Sequence, residues 1–258
     1  MERIKKFDIL GAHISATNMG EVRDFINNVI KDSKKIYIST CPVNTIMDCQ
    51  DNREAMQSIN AADLAVPDGM PVAWIGKIKG FRNIGKVSGT DLMLEICKLS
   101  EKKGFKNYFY GSTPQALASL KRQLKISFPA LAIAGMHSPV FYGPVQEDRI
   151  AGDIGNINKS DTDVLWIGLG SPKQDIWMFK YRGKLNVPVI IGVGAAFDFI
   201  SSLKKRAPIW MQRSGLEWLF RFLQEPKRLW RRYLINNTLF ILFILKDLTL
   251  KPNSEKAF

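Results

Sequence analysis

Short apolar runs alternate with amphipathic stretches of helical length over the first two hundred residues. The runs that predict buried strands are KKIYIST (34–40), DLAVP (63–67), KNYFYGS (106–112), DVLWIGLGS (163–171) and VPVIIGVG (187–194). Segments with apolar residues at helical spacing lie between them, such as TPQALASLKRQLKISF. Strands that alternate with helices of about 10–15 residues are typical of βαβ units. The pattern predicts an α/β fold with a mostly parallel sheet flanked by helices.

Small and polar residues follow the carboxyl end of each apolar run. They are Thr40, Asp68, Gly111–Ser112, Gly168–Ser171 and Gly192–Gly194. In a parallel α/β sheet these ends lie along one edge, where ligands bind. We therefore expect a Rossmann-like sheet in which the five loops converge on one crevice.

The segment VPDGMP places Asp68 between a proline and a glycine. One interpretation is turn chemistry, because Pro67 fixes φ and Gly69 supplies a positive φ. The other is that a strand delivers a carboxylate to a rigid elbow where a reaction occurs. The expected convergence of the loops favours the functional interpretation.

The composition changes after Asp198, where the chain becomes rich in Trp, Phe and Arg. We expect an α/β catalytic domain over residues 1–200 and a basic helical C-terminal appendage over 201–258. Arg221, Arg228 and Arg231 share a helical face if Pro226 permits a continuous helix. The uncharged stretch 233–245 is shorter than the roughly 20 residues of a membrane span, so it predicts a membrane-surface or interface helix.

The positive charge is concentrated in this appendage. The net charge is +13, and the segment from Lys204 to the end holds twelve Lys or Arg against four Asp or Glu. Such a segment favours an anionic partner, which could be a phosphorylated substrate, an acidic membrane or nucleic acid. A solvated basic face is the simpler alternative.

Two glycine-rich loops at strand ends are typical of phosphate binding. GLGSPKQ contains Gly170, with Lys173 and Gln174 as candidate side-chain contacts, and GVGAAF contains Gly194. Backbone N–H groups at a glycine turn that enters a helix can hold a phosphate. GVGAAF lacks the third glycine of a dinucleotide fingerprint, which argues against a nicotinamide-dependent oxidoreductase. The pair of loops predicts a nucleotide diphosphate site.

The sequence offers no clear ligand set for a metal ion. DTD (161–163) begins an apolar run and is interpreted as a solvated loop and strand cap, and the chain has two histidines. We therefore expect no metal and no cofactor, and cationic side chains, including Arg206 of KKRAP, to neutralise a leaving diphosphate. Three cysteines without a CxxC motif suggest reduced thiols in a cytosolic protein.

Candidate nucleophiles have no histidine partner that the sequence reveals, so a lone carboxylate that acts as general base remains the expected catalytic group.

Seven motifs, in this order, resemble the WecG/TagA/CpsF glycosyltransferases: TCPVNTIM, VPDGMPVAW, KVSGTDLM, GLGSPKQDIW, GVGAAFDF, KRAPIWMQRSGLEWLFR and EPKRLWRRYL. The resemblance implies metal-independent, inverting transfer of N-acetylmannosamine or a related hexose from a UDP donor. The implied acceptor is a sugar on undecaprenyl diphosphate, in the assembly of teichoic acid, enterobacterial antigen or exopolysaccharide.

The resemblance also implies roles for individual residues. Asp68 is the expected general base and Thr40 acts near it. The tail arginines are expected to close over the donor diphosphate and to assist membrane docking. The expected substrate-binding residues are Asn44, Lys86, Asp91, Gly170, Lys173, Gln174, Gly194, Asp198, Arg206, Arg221, Arg228 and Arg231. Lys86 stands where an arginine is often found, so the charge is kept and the bidentate fork is lost.

We expect a cytoplasmic protein held on the inner face of the membrane. The apolar residues of the tail could also pack on a second subunit, which would make the protein a homo-oligomer. The alternative is a nucleic-acid-binding protein that uses the basic, aromatic tail. Against it, the tail aromatics fall at spacings expected of a helix core: Trp210, Trp218, Phe220, Phe222 and Trp230. We therefore expect no nucleic-acid partner.

Overall fold

The computed structural model describes residues 4–139 and 147–250. A hairpin is formed by β1 (Lys6–Ile9) and β2 (Ala12–Ser15). The six other strands are β3 (Ile36–Cys41), β4 (Leu64–Pro67), β5 (Asn107–Gly111), β6 (Ile133–His137), β7 (Val164–Gly168) and β8 (Val189–Gly192). They form one sheet in the order β4-β3-β8-β7-β5-β6, and the pairs from β3 to β6 are parallel. The predicted α/β fold is confirmed.

Helices flank this sheet and continue to the end of the described chain. They are α1 (Met19–Lys31), α2 (Val43–Asp51), α3 (Arg53–Asn60), α4 (Met70–Ile78), α5 (Gly89–Lys103), α6 (Pro114–Ser127), α7 (Glu147–Lys159), α8 (Lys173–Tyr181), α9 (Ala196–Ile200), α10 (Ile209–Arg213), α11 (Glu217–Gln224), α12 (Pro226–Trp230) and α13 (Asn236–Leu250). A 3₁₀ turn covers Arg182–Lys184, and a π-helical turn covers Arg231–Ile235.

The described chain divides into two compact units. The Asp68 unit contains the described residues up to Met19, Thr40–Ser88 and those from Lys205 onward. The glycine-turn unit contains Gly20–Ser39 and Gly89–Lys204. These units are defined by how compactly the chain packs. The expected division into residues 1–200 and 201–258 concerns function and stays a prediction.

In the Asp68 unit, the stretch NTIMDCQDNREAMQSI (44–59) has a helix-like apolar pattern throughout, but the structure divides it between α2 and α3. Asn52 separates them with an extended backbone, and its side-chain oxygen accepts a hydrogen bond from the Ala55 N–H at 3.0 Å. An N-cap of this kind stabilises a helix start by about 1 kcal/mol. The local cap therefore prevails over the continuous apolar pattern.

In the glycine-turn unit, the centre of the sheet is buried on both faces. The side chain of Trp166 in β7 is fully buried, and its indole N–H donates to Asn107 Oδ1 of β5 at 2.9 Å. Strands that are covered on both faces are expected to be apolar throughout, which explains why these runs were readable from sequence.

The appendage is helical as predicted, but its helix is interrupted. α11 ends at Gln224, and Pro226 opens α12 as one of its first residues, a position where a missing N–H costs little. Trp210 is 63% exposed and Trp230 is 44% exposed. Their predicted place in a helix core is therefore wrong; they lie in α10 and α12, two helices of five residues each, and not in one long helix.

Candidate active site

Asp68 follows directly on the carboxyl end of β4. Its N–H donates to the Cys41 carbonyl at 3.3 Å, and the Val87 N–H donates to the Pro67 carbonyl at 2.8 Å. Gly69 has a φ of +96°, which glycine adopts without strain, and α4 begins at the next residue. The turn interpretation and the functional one are thus compatible, because the turn fixes the backbone that carries the half-buried carboxylate.

Thr40 and Asn44 flank the loop that accepts this hydrogen bond. Thr40 lies in β3 and is 3% exposed, while Asn44 is the second residue of α2 and is 8% exposed. Because the Cys41 carbonyl accepts a hydrogen bond from the Asp68 N–H, the structure brings this loop and the Asp68 elbow together within one unit.

Lys86 and Arg206 converge on one carboxylate, that of Glu217. The Lys86 Nζ lies 3.1 Å from Glu217 Oε2, and the Arg206 Nε lies 3.9 Å from Oε1. An Arg206 Nη also donates to Ser88 Oγ at 3.4 Å. Sequence reasoning missed Glu217, although it is the one acidic residue within KRAPIWMQRSGLEWLFR.

The tail arginines do not lie on one continuous helix, because Arg221 belongs to α11 whereas Arg228 and Arg231 follow the interruption before Pro226. Arg228 is exposed and pairs with Glu225, while Arg231 is exposed and lies over the Trp230 ring at 5.3 Å. Arg232, which sequence reasoning did not select, instead donates a hydrogen bond to Asn44 Oδ1. The interruption before Pro226 and the π turn change the helical phase, so the spacing in sequence did not reveal this arginine.

Charges of both signs surround Arg232. Burial lowers the pKa of Arg232, and the nearby charge of Arg221 lowers it further, whereas Asp48 and Asp68 act in the opposite direction. Burial also disfavours the charged form of Asp48 and raises its pKa. The charge of Arg232 and a side-chain hydrogen bond with Asn44 act in the opposite direction and lower it. The Arg232 guanidinium therefore interacts with the negative charges of both Asp48 and Asp68.

In the glycine-turn unit, two strand ends and one helix start pack closely. A Cβ on Gly111 would lie 2.5 Å from the Gly168 carbonyl oxygen, and the Ser112 N–H donates to that oxygen at 3.1 Å. A Cβ on Gly168 would lie 2.7 Å from the Phe197 ring. These glycines allow the ends of β5 and β7 and the start of α9 to approach one another.

Gln174 connects the two predicted phosphate loops. The residue is 1% exposed, its side-chain Oε1 accepts from the Gly194 N–H at 2.9 Å, and its backbone N–H donates to the Gly170 carbonyl at 2.9 Å. The Gly194 N–H therefore already has an acceptor, which differs from the predicted use of this group for phosphate. Lys173 is exposed at the start of α8.

Asp198 and Asp91 lie near the β8 turn of the same unit. Asp198 accepts from Ser112 Oγ at 3.3 Å and pairs with Lys204 at 3.1 Å. Asp91 is the third residue of α5, whose first residue, Gly89, packs against the Val193 carbonyl. The predicted convergence of Asp68 with these turns concerns residues of both units and stays a prediction.

Comparison with known proteins gives the chain its family. The family model described as Glycosyl transferase WecG/TagA/CpsF family matches residues 7–254. The chain belongs to this family. Membership in the WecG/TagA/CpsF family makes the chain a glycosyltransferase, as the order of its motifs predicted.

Two curated members of the family cover most of the chain. A protein of Bacillus spizizenii is 29% identical over 218 residues, which are 83% of this chain and 82% of that protein. A protein of Bacillus subtilis is 26% identical over 245 residues, which are 93% of each. Both are named N-acetylglucosaminyldiphosphoundecaprenol N-acetyl-beta-D-mannosaminyltransferase.

The DTD segment of this glycosyltransferase lies before β7, as predicted. Asp163 accepts from the Lys106 N–H at 2.7 Å, and Lys106 Nζ pairs with the exposed Asp161. These contacts cap the starts of β5 and β7 at the amino ends of the strands. The interpretation as a solvated loop and strand cap is confirmed.

The appendage exposes an apolar surface along α13. Phe240 and Ile244 are buried in the Asp68 unit, where α13 packs against α2. The other faces expose large apolar side chains: Leu239, Ile241, Leu242, Phe243 and Leu245. Within residues 4–139 and 147–250, none of the helices has the length and apolar character needed to traverse a bilayer.

Proposed function

We propose that this glycosyltransferase moves N-acetylmannosamine or a related hexose from a UDP donor to a sugar on a polyprenyl diphosphate. The two curated relatives carry the name of such an activity, with an N-acetylglucosaminyl-diphosphoundecaprenol acceptor. The observation that carries the proposal is the Asp68 elbow, which fixes a carboxylate at a strand end in a chain that matches the family almost from end to end.

In the proposed mechanism Asp68 accepts the proton of an acceptor hydroxyl. The freed oxygen forms a bond to C1 of the sugar while the bond from C1 to the UDP oxygen breaks, so one displacement inverts the anomeric centre. UDP leaves with the bonding electron pair. A positioned general base contributes about 10²–10⁴-fold to a rate. Thr40 at the end of β3 is proposed to assist near the base.

Cationic side chains are proposed to stabilise the leaving diphosphate without a metal ion. Lys86 and Arg206 both pair with Glu217, which holds the two cations close together. Cations that are held in place before the reaction can stabilise the negative charge that develops on the leaving diphosphate. Arg221, Arg228 and Arg231 are proposed to contribute further charge to donor binding. In the glycine-turn unit, Lys173 and the loops around Gly170 and Gly194 are proposed donor contacts.

We propose that the appendage rests on the inner face of the cell membrane. Exposed Trp210 and Trp230 suit the headgroup region, and each nearby Lys or Arg adds about 1 kcal/mol on an anionic surface. Basic and aromatic residues would also suit nucleic acid. The aliphatic residues exposed along α13 favour lipid, because nucleic acid would leave them in water.

The test is transfer with defined substrates. The protein is incubated with a panel of UDP-sugars and a short-chain lipid-diphosphate N-acetylglucosamine analogue, and products are identified by mass spectrometry. We expect one product whose mass gain is one N-acetylhexosamine or a related hexose. Asp68→Asn is expected to bind UDP normally and to lose transfer by about 10²-fold or more. Full activity of Asp68→Asn would overturn the proposed base.

A further inference from the structure

Arg232 and its neighbour Arg231 make different contacts within the Asp68 unit. The π-helical turn over Arg231–Ile235 has wider rings than an α-helix, so it redirects the side chains that it carries. Arg231 faces solvent over Trp230, whereas Arg232 reaches α2 and Tyr233 packs on the Trp218 ring at 5.8 Å. Single-turn π segments of this kind are frequent at functional sites.

The Arg232 guanidinium holds the Asn44 side chain from one side. One Nη group donates to Asn44 Oδ1, and Asn44 also shares a side-chain hydrogen bond with Asp48, one turn later on α2. The Asn44 amide is 8% exposed and engaged at both ends, so its orientation is fixed. Asn44 lies three residues after Cys41, whose carbonyl accepts the Asp68 N–H.

The charges around Arg232 include the proposed base. Asp68 and Asp48 contribute negative charge, Arg221 of α11 contributes positive charge, and the Tyr233 hydroxyl lies on the same turn. Asp51 further along α2 acts on Asp48. An arginine stays charged throughout the physiological pH range, so its effect on Asp68 does not titrate away.

We propose that Arg232 is a positioning residue that fixes Asn44 and keeps positive charge beside Asp68, so that the carboxylate stays ionised and ready to accept the acceptor proton. This inference rests on the proposed role of Asp68 as general base. Arg232 acts through Asp68 and Asn44, and it is distinct from the arginines that are proposed to bind the donor.

The test is the pH profile of kcat/KM for Arg232→Gln, measured with UDP-N-acetylmannosamine and the lipid-diphosphate N-acetylglucosamine analogue. Loss of a nearby positive charge should move the acidic limb of the profile upward by about one pH unit. Arg232→Lys retains the charge, so its limb should stay close to that of the native protein. Arg231→Gln should weaken UDP binding and leave the acidic limb in place.

An acidic limb of Arg232→Gln that coincides with the native limb would overturn the inference. If circular dichroism shows that Arg232→Gln does not fold, Arg232→Met is used in its place, because it keeps the aliphatic packing of the side chain and removes the charge. The position of its acidic limb is compared with the native limb in the same way. The two hypotheses fail separately. Full activity of Asp68→Asn refutes the general base. If Asp68→Asn is inactive and the acidic limb of Arg232→Gln stays at the pH of the native limb, only the positioning role is refuted.

Discussion

Lys86 and Glu217 form an ion pair with 3.1 Å between Nζ and Oε2, although 131 residues separate them in the chain. The pair ties the loop that follows α4 to the first residue of α11. Arg206 approaches the other oxygen of the same carboxylate. One acid thus balances two cations that we propose as contacts of the donor diphosphate.

Glu217→Gln should tighten UDP binding. The substitution removes the negative charge that competes with the diphosphate for Lys86 and Arg206, while the amide preserves the shape. A partly exposed ion pair of this kind is worth up to about 1 kcal/mol, so we expect about a fivefold lower Kd at low salt and a smaller change at high salt. Isothermal titration calorimetry at two ionic strengths measures both.

The exposed Glu54 of α3 provides the matched control for this experiment. Glu54→Gln changes the net charge equally and should leave the Kd for UDP unchanged. Weaker binding by Glu217→Gln would show that the carboxylate orients Lys86 and Arg206 more than it neutralises them.

The strands that sequence predicted well are the buried ones. β5 and β7 are apolar along their length because both faces of the sheet are covered, so the run itself marks the strand. The hairpin strands β1 and β2 have four residues each with mixed polarity, and β6 is partly exposed throughout. These strands are set by tertiary packing, and their short segments carry no distinctive periodicity.

The site was predictable where local chemistry determines it. Pro67 and Gly69 define the Asp68 elbow within one short motif. Glu217 was not predictable because its partner Lys86 lies 131 residues away in the chain. Arg232 was not predictable because its contact depends on the π turn, which helical spacing does not reveal. Residues brought together by long-range packing need the structure.

Gln174→Ala should destabilise the protein and weaken donor binding together. It leaves the Gly194 N–H without its acceptor and opens space beside Gly192, whose Cβ position lies 3.1 Å from the Gln174 amide nitrogen. A lost partner of a buried group costs about 1–3 kcal/mol. Urea unfolding and UDP titration measure the two effects.

The exposed Gln115 on α6 controls for the change of residue type. Gln115→Ala should stay within about 0.5 kcal/mol of the native protein. Native stability in Gln174→Ala would contradict a structural role for the bond to Gly194.

Gly111→Ala should be among the most destabilising single-atom additions in the glycine-turn unit. Its φ is +132°, and the added Cβ would lie 2.5 Å from the Gly168 carbonyl oxygen. We expect a loss of about 3 kcal/mol or more from combined strain and overlap. Gly152→Ala in α7 meets nothing within 4 Å and should instead stabilise by about 0.5–1 kcal/mol. Thermal unfolding compares the two, and equal midpoints would contradict the close approach of β5 and β7.

Asp48→Asn should stabilise the protein at neutral pH and change little in acid. Burial raises the pKa of Asp48 above its ordinary value of 3.8, so the folded protein holds this proton to higher pH than the unfolded chain does. The contribution of Asp48 to stability therefore falls as pH rises through and above 3.8. Asparagine does not titrate, so Asp48→Asn avoids this loss of stability as the pH rises. Unfolding in urea at about pH 3 and about pH 7 should show a free-energy difference between variant and native protein that grows with pH, and a constant difference would contradict it.

Replacing the exposed face of α13 should release the protein from anionic vesicles. Ile241, Leu242 and Leu245 are each more than half exposed, so their joint change to Gln should preserve the fold. Full burial of such a side chain is worth about 1.5–3 kcal/mol, and we expect at least a tenfold weaker co-sedimentation with phosphatidylglycerol vesicles. Ile126→Gln removes an equally exposed apolar residue from α6 and should bind vesicles like the native protein. Unchanged vesicle binding, with a smaller particle in size-exclusion chromatography, would instead assign this face to a second copy of the chain.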